Sequence, residues 1–248
     1  MTAATSPTIA VFGAGPAFGL AVARRFGREG FRVALVSRTA ARLEELAATL
    51  AAEGIEAAGF PADLGDPGRA EAAVDAIESR FGTIDVLEYS PGGLSLGFTP
   101  TPITETGPAE LRGPLDLFLN TPVGLVRRLL PGMLERGSGT LLISQGTSGR
   151  HPIPMLGNMG TAMAGMRQYV LALNTALAGT GVYAGLLSIG GGIVGSEVHA
   201  VLNNASADVP QVGEPEVALV EPADLAGLLW DMYLRRDRAE ETAGNVGV

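Results

Sequence analysis

The sequence contains neither cysteine nor lysine, and each absence excludes a class of chemistry. Without cysteine the chain can form no disulfide, thiolate nucleophile or cysteine metal site. Without lysine no ammonium group can act as a base, form a Schiff base or hold a cofactor ribose, because all 17 basic residues are arginines. The two histidines, His151 and His199, lie far apart in the chain. No metal-ligand spacing is therefore present, and no metal site is expected.

Long hydrophobic runs are also absent. No apolar stretch approaches the ~20 residues that cross a bilayer, and residues 1–7 lack the basic and apolar segments of a signal peptide. We therefore expect a cytoplasmic protein without a membrane partner. The net charge of −9 disfavours a nucleic-acid partner, which would require a basic surface. Hydrophobic residues make up 46% of the 248 residues, which is enough for a large core.

Apolar runs alternate with amphipathic segments along the whole chain. The predicted strands are 8–12, 32–37, 55–60, 86–89, 140–144 and 182–189, and the predicted helices are about 20–30, 39–53, 67–81, 115–134, 158–178 and 222–236. This alternation predicts the α/β class, with one doubly wound parallel sheet and helices on both faces. Residues 1–248 are predicted to form a single domain, in which the weakly patterned segment of about 190–221, containing Glu197 and His199, acts as a substrate lid. At the C-terminal end only a strand stub at 244–246 is predicted.

A glycine-rich turn follows the first predicted strand. Gly13, Gly15, Phe18 and Gly19 lie where this strand passes into the first helix. Glycines at that place allow a sharp turn and let a pyrophosphate approach the N–H groups of the helix N-terminus. The spacing is G-x-G-x-x-x-G rather than G-x-G-x-x-G. The pattern predicts a dinucleotide site, and the alternative is a tight turn that binds no ligand.

The end of the second predicted strand bears on cofactor choice. An acid there would bind the ribose hydroxyls of NAD, but this chain has Ser37 and Arg38. A guanidinium matches a 2′-phosphate, so we predict NADP(H) in preference to NAD(H). Alternatively, Arg38 is a solvated charge at the start of the next helix. Asp63, after the third strand, either accepts a hydrogen bond from an adenine amino group or caps a turn with Asp66.

These motifs resemble those of the short-chain dehydrogenase/reductase family, from about residue 8 to 236. The similarity includes the glycine turn, the Asp63-Leu64 pair, the segment Arg-Arg-Leu-Leu-Pro-Gly-Met at 127–133 and the strand Gly-Thr-Leu-Leu-Ile at 139–143. The resemblance implies a Rossmann-type fold and a homodimer or homotetramer built on the two long helices. It places the cofactor on Gly13, Gly15, Phe18, Gly19, Ser37, Arg38, Asp63 and Leu64.

The sequence departs from the family at the catalytic positions. Without gaps, the family's serine, tyrosine and lysine fall on Gly146, Met159 and Met163. A thioether is a weak acceptor with no proton to donate, and a chain without lysine contains no alternative register for the motif. Met159 and Met163 share one helical face. They either extend the core or form an apolar wall that holds an apolar or aromatic substrate.

Other side chains near the predicted strand ends could donate a proton instead. The candidates are Tyr89, Ser144, Thr147 and His151. Tyr89 is the preferred acid because a phenol can replace a phenol, and Ser144 lies on the same strand face as Gly146. Each candidate also has a structural explanation. A serine or threonine hydroxyl often satisfies a backbone group, and His151 could be a surface loop residue.

Three functions are compatible with these features. The first is an NADP(H)-binding oxidoreductase that acts on a small, apolar, carbonyl-type substrate with a non-standard proton donor. The second is a non-redox enzyme on the same scaffold, such as a cyclase, isomerase or dehydratase. The third is a nucleotide-binding protein without catalytic activity. We rank them in this order, because the fold indicates cofactor binding but not the type of reaction.

Overall fold

The computed structural model describes residues 6–92, 97–197, 199 and 218–244. The strands in these residues are β1 Thr8–Phe12, β2 Arg32–Ser37, β3 Ala57–Pro61, β4 Val86–Tyr89, β5 Gly139–Gly146, β6 Val182–Gly190, β7 Gly192–Ile193, β8 Leu219–Val220 and β9 Glu240–Gly244. The helices are α1 Phe18–Gly27, α2 Ala40–Ala52, α3 Pro67–Phe81, α4 Pro108–Leu115, α5 Thr121–Glu135, α6 Gly157–Ala176 and α7 Pro222–Arg235.

Seven of these strands form one parallel sheet in the order β3-β2-β1-β4-β5-β6-β9. The chain winds outward from β1 through β2 to β3, then returns to place β4 on the other side of β1. Crossover connections therefore leave in opposite directions at β1 and β4, which opens a crevice at the carboxyl ends of these two strands. The predicted doubly wound α/β fold is confirmed. Two-residue strands β7 and β8 pair with each other beside the main sheet.

The sheet is covered on both faces by apolar clusters. Helices α3, α5 and α6 pack on one face, and α1, α2 and α7 pack on the other. Side chains alternate between the faces along each strand. Tyr89 therefore lies in the first cluster, whereas Val86 lies in the second with Val11 and Leu142. Glu88 has the same parity as Val86 and faces the second cluster.

The helix predicted over 115–134 begins earlier and is interrupted. It starts at Pro108, and a π-helical turn at Asp116–Asn120 separates α4 from α5. Thr121 N–H bonds to the carbonyl of Asp116, five residues back, and Pro122 has no N–H with which to continue the usual ladder. Glycine and proline in the α4 sequence conceal its periodicity, which explains why the sequence pattern missed it.

The C-terminal strand also differs from the prediction. β9 occupies Glu240–Gly244 and pairs with β6, so the strand begins four residues before the stub predicted at 244–246, of which positions 245 and 246 lie outside the described residues. The guanidinium of Arg167 on α6 donates three hydrogen bonds to the Glu240 carboxylate at 2.7–3.1 Å. The strand is polar and has no alternating pattern. Its position depends on a partner far away in the sequence, so local periodicity could not reveal it.

Two classes of feature are absent from the part of the chain that the structure describes. It contains no helix with the length and apolar character needed to cross a membrane. It also contains no group of three or more histidine, aspartate or glutamate side chains arranged to hold a metal ion.

Candidate cofactor and active site

A cleft with a cavity volume of about 340 Å³ lies along the carboxyl edge of the sheet. Its walls come from the ends of the first six strands. All the residues predicted to bind a cofactor line it, namely Gly13, Gly15, Phe18, Gly19, Ser37, Arg38, Asp63 and Leu64. Ser90, Ser144 and Gly146 line the same cleft. The fold therefore brings together residues that are spread over more than half of the sequence.

The glycine turn has a geometry that requires two of its glycines. Gly13 has a φ of +109°, and a Cβ there would lie 2.3 Å from the carbonyl oxygen of Ser90. A Cβ on Gly19 would lie 2.8 Å from the Cα of Ala14. A side chain at Gly13 would clash with the residue that follows β4, and a side chain at Gly19 would clash with Ala14 of the same turn.

Gly15 differs, because a Cβ there would have no neighbour closer than the Gly13 oxygen at 4.0 Å. The space beside it belongs to the cleft. Ala17 precedes α1 and contributes no side-chain oxygen to cap its first turn. The helix N-terminus can therefore offer its N–H groups to an anion, and the open space at Gly15 fits a pyrophosphate.

The second strand ends in an unsatisfied hydroxyl. Ser37 Oγ is buried and has no hydrogen-bond partner among the described residues, and Ser37 is one of the residues that line the cleft. Buried polar atoms are normally paired, so an orphan beside a cleft points to a ligand. The adjacent Arg38 is exposed at the cleft edge. Nearby, Arg42 of α2 forms a 2.9 Å ion pair with Glu197, which follows β7.

Asp63 closes a turn, as one of its two predicted roles required, and the adenine contact stays a prediction. Its Oδ1 accepts the N–H of Gly65 at 3.0 Å, which closes the turn after β3, and the residue still lines the cleft. The adjacent carbonyl of Leu64 accepts the Thr121 hydroxyl at 2.8 Å. This bond holds the turn against the start of α5.

Tyr89 is not positioned to donate a proton into the cleft. Its side chain is 1% exposed, and its hydroxyl donates to the carbonyl of Leu117 at 2.5 Å. Burial raises the pKa of the phenol well above its ordinary value, and the negative charge of Asp63 adds to that effect. The preferred acid of the sequence prediction is therefore a buried structural residue.

Thr147 and His151 follow β5 and are not among the residues that line the described cleft. The Thr147 carbonyl accepts the backbone N–H groups of Arg150 and His151, both at 2.8 Å. These bonds stabilise a short 3₁₀ turn. Of the four candidates, only Ser144 is on the cleft wall.

The three positions predicted to match the family's catalytic residues have different surroundings. Gly146 lines the cleft, and a Cβ there would meet only the Met163 sulfur, at 3.8 Å. Met163 is 5% exposed within the core, and its sulfur accepts the Ser148 hydroxyl at 3.2 Å. Met159 is half-buried against the same core. Neither methionine is among the residues that line the described cleft, which favours the core-packing interpretation for Met163.

Asn158, which precedes Met159, organises the entrance to α6. Its side chain is fully buried and accepts the N–H of Thr101 at 3.0 Å. Its amide also donates to the carbonyl of Glu110 at 3.3 Å. In a regular helix the Glu110 carbonyl would accept the N–H of the residue four positions later, but that residue is Pro114, which has no N–H. The asparagine thus satisfies a backbone acceptor.

The sequence prediction missed a buried acid beneath the cleft. Glu88 is fully buried, and it accepts hydrogen bonds from Ser90 Oγ at 2.9 Å and from Ser144 Oγ at 3.1 Å. Burial raises the pKa of Glu88 to about 8, and the two hydroxyls offset this only in part. The available signal was one acid inside the otherwise apolar strand Val-Leu-Glu-Tyr. Such an acid needs partners, which the sequence does not identify.

Comparisons with known proteins agree with this architecture. The family model described as short chain dehydrogenase matches residues 7–206. Serine 3-dehydrogenase of Agrobacterium fabrum is 33% identical over 178 residues, which cover 71% of this chain and 68% of that protein. Ketoacyl reductase HetN of Nostoc is 29% identical over 182 residues, which cover 73% of this chain and 62% of that protein. The structure of L-sorbose reductase from Gluconobacter frateurii, complexed with NADPH and L-sorbose, aligns with a TM-score of 0.78 at 20% identity, covering 96% of this chain and 95% of that one.

Proposed function

Because this chain belongs to the short-chain dehydrogenase family, we propose that it is an NADP(H)-dependent oxidoreductase that acts on a small, apolar, carbonyl-type substrate. The observation that best supports the proposal is the convergence of all the predicted cofactor residues on one cleft at the sheet's switch point. NADPH in the solved structure of L-sorbose reductase, which shares this fold, is consistent with the same cofactor class.

The residues of the cleft suit the two ends of such a dinucleotide. The open space at Gly15 and the uncapped N-terminus of α1 would receive the pyrophosphate. Ser37 would donate its unpaired hydroxyl to the ribose phosphate, and Arg38 would pair with the 2′-phosphate charge. When bound, the nicotinamide would exchange a hydride with the substrate.

The proton must come from a group other than the family's tyrosine and lysine. Gly146, Met159 and Met163 contain no ionisable atom, and no lysine exists elsewhere in the chain. Ser144 lines the cleft and lies two residues before Gly146. We therefore assign the proton-donating position to the β5 side of the cleft.

Calorimetric titration of NADPH and NADH into purified protein tests the cofactor assignment. We expect NADPH to bind at least about tenfold more tightly than NADH, because the guanidinium of Arg38 recognises the extra phosphate. The variant Arg38→Ala should lose most of this preference while binding NADH as before. Arg127→Ala, at an exposed position on α5, is the matched control. Equal affinities for the two nucleotides would contradict the role of Arg38.

Oxidation of NADPH by a panel of aldehydes, ketones, imines and enones tests the reaction type. A reductase should oxidise NADPH with at least one member. If NADPH binds but no member is reduced, the chain is better described as a nucleotide-binding protein. If a product of unchanged mass forms without consumption of cofactor, a non-redox reaction is indicated.

We also propose a homodimer or homotetramer in which α5 and α6 form the contact. The resemblance to the family motivates this assembly, and Leu134 is an apolar residue of α5 that is 42% exposed. Light scattering coupled to size-exclusion chromatography measures the mass directly. A monomer at micromolar concentration would contradict the proposal.

A further inference from the structure

The cleft has an acid behind its wall that the proposed function does not use. The Glu88 carboxyl is fully buried, and each of its oxygens lies within hydrogen-bond distance of one serine hydroxyl, Ser90 at 2.9 Å and Ser144 at 3.1 Å. Both serines line the cleft. The three side chains therefore form a continuous polar path from the interior of the sheet to the cleft.

No cation in the described part of the chain neutralises this acid. On the neighbouring strands the residues in register with Glu88 are Val11 of β1 and Leu142 of β5. The buried residues of the helices on this face are all apolar or glycine, namely Phe18, Gly19, Leu20, Val22, Ala23 and Phe26 of α1, Leu43, Leu46 and Leu50 of α2, and Leu225, Ala226, Leu229, Trp230 and Met232 of α7.

The titratable groups of the same elements point elsewhere. Arg24 and Arg25 of α1 pair with Glu53 and Glu29 near the surface. Asp85, the residue before β4, accepts the Thr8 N–H at the opposite end of the strand, and Tyr89 faces the other side of the sheet. On α7, Asp231 and Arg235 pair with each other at the surface. Among the described residues no charge stabilises ionised Glu88, so desolvation favours the protonated form at neutral pH.

We propose that Ser144 and Glu88 form the proton relay of this oxidoreductase, in which Ser144 delivers the proton into the cleft and Glu88 replaces it from behind. The inference rests on the proposed reductase function. It assigns Ser144 as the catalytic residue and Glu88 as the positioning residue that supplies it. The proton that the methionine positions cannot provide is then supplied by Ser144, Ser90 and Glu88.

The proton balance of the relay is simple. The carbonyl carbon of the substrate receives a hydride from reduced nicotinamide dinucleotide, and its oxygen receives the Ser144 hydroxyl proton. The C=O π bond breaks, and one C–H and one O–H bond form. Glu88 returns a proton to Ser144 and becomes a carboxylate, which takes a proton from water to complete the cycle. The substrate is reduced by two electrons, and the dinucleotide is oxidised by two.

The positions of the two serines favour Ser144 as the residue that donates the proton into the cleft. Ser144 lies on β5 and is followed two residues later by Gly146, the position that matches the family's catalytic serine. Ser90 lies by the glycine turn, because its carbonyl oxygen is the atom that a Cβ on Gly13 would meet at 2.3 Å. Ser90 thus lies on the pyrophosphate side, where its hydroxyl orients the carboxyl of Glu88.

Infrared difference spectroscopy of the protein without cofactor tests the acid directly. The spectrum at pH 6–10 should show the carbonyl stretch of a protonated carboxyl group that disappears with a midpoint near 8. Glu88→Gln should lack this band and keep the far-UV spectrum of the wild type. A wild-type protein without such a band at pH 7 would overturn the relay, because Glu88 would hold no proton to transfer.

Steady-state kinetics test the proton transfer, with NADPH and those compounds of the panel that the protein is found to reduce. Both Ser144→Ala and Glu88→Gln should lower kcat by about 10²-fold or more, with NADPH affinity within threefold of the wild type. The wild-type kcat should fall above pH 8, and Glu88→Gln should lose that dependence. The matched control is Ser148→Ala, a buried serine that contacts the Met163 sulfur instead of Glu88.

The outcomes separate the relay from the proposed function. If NADPH is bound and oxidised but Ser144→Ala and Glu88→Gln keep the wild-type kcat and pH profile, the reductase stands and the relay is wrong. If Ser90→Ala rather than Ser144→Ala changes the pH profile of kcat, the assignment of Ser144 as the proton donor is wrong. If NADPH is neither bound nor oxidised, the proposed function fails and the relay fails with it, even where the infrared band titrates as expected.

Discussion

Replacing Glu88 by glutamine should change how stability depends on pH. Below pH 4.5 the carboxyl is protonated in both the folded and the unfolded chain. As pH rises, the unfolded chain ionises while folded Glu88 keeps its proton until pH passes its pKa of about 8. Stability that is present below pH 4.5 is therefore lost progressively as pH rises to about 8. At about 1.4 kcal/mol per pH unit, the full loss is about 5 kcal/mol.

The loss between pH 6 and pH 9 amounts to about 2.5 kcal/mol, because ionisation of the folded state is completed within that range. Glu88→Gln cannot ionise, so its free energy of unfolding relative to the wild type should rise by this amount over the same interval. Urea unfolding followed by the fluorescence of Trp230, the single tryptophan, provides the measurement. A difference that stays constant with pH would refute the assignment of Glu88 as a neutral buried acid. Glu44→Gln, at an exposed position on α2, is the control and should show no such trend.

Two further substitutions test the interpretation of the core around the cleft. Tyr89→Phe removes the hydrogen bond to the Leu117 carbonyl, so it should lower the free energy of unfolding by about 1–2 kcal/mol while kcat stays within twofold; a large loss of kcat would restore Tyr89 as an acid. Met163→Lys buries an ammonium with no described carboxylate at its sulfur position, so it should destabilise the fold by several kcal/mol and more at pH 6 than at pH 9. Met163→Leu, the control, should cost under about 1.5 kcal/mol. Equal unfolding curves for the two Met163 variants would contradict its burial.

Local sequence features determined most of the secondary structure. The strands at Thr8–Phe12 and Arg32–Ser37 agree with their predictions residue for residue, because unbroken apolar runs bounded by turn residues define them. Helix α3 also agrees at both ends. Asp66 accepts the N–H groups of Gly68 and Arg69 at its start, and Pro67 follows in the first turn, which are local signals for a helix N-terminus.

The convergence of the glycine turn and the strand ends on one cleft was also predictable from the sequence. Residues that end parallel strands must share one edge of the sheet, so the alternation of strands and helices already implies that Gly13, Ser37 and Asp63 converge. The glycine turn depends in part on its own backbone, because Gly13 has a φ of +109°. A side chain at Gly13 is excluded by the strand that follows in the sheet, and this exclusion is the reason for the glycine.

The proton chemistry depended on tertiary structure alone. Nothing in the local sequence distinguishes Tyr89, whose hydroxyl is consumed by a carbonyl 28 residues away, from a tyrosine open to the cleft. Glu88 meets Ser144 across 56 residues, through the pairing of β4 with β5. The sequence determines which face of a strand a side chain occupies, because side chains alternate. Only the packed sheet decides which polar groups meet there and how completely water is excluded, and the pKa of Glu88 depends on both.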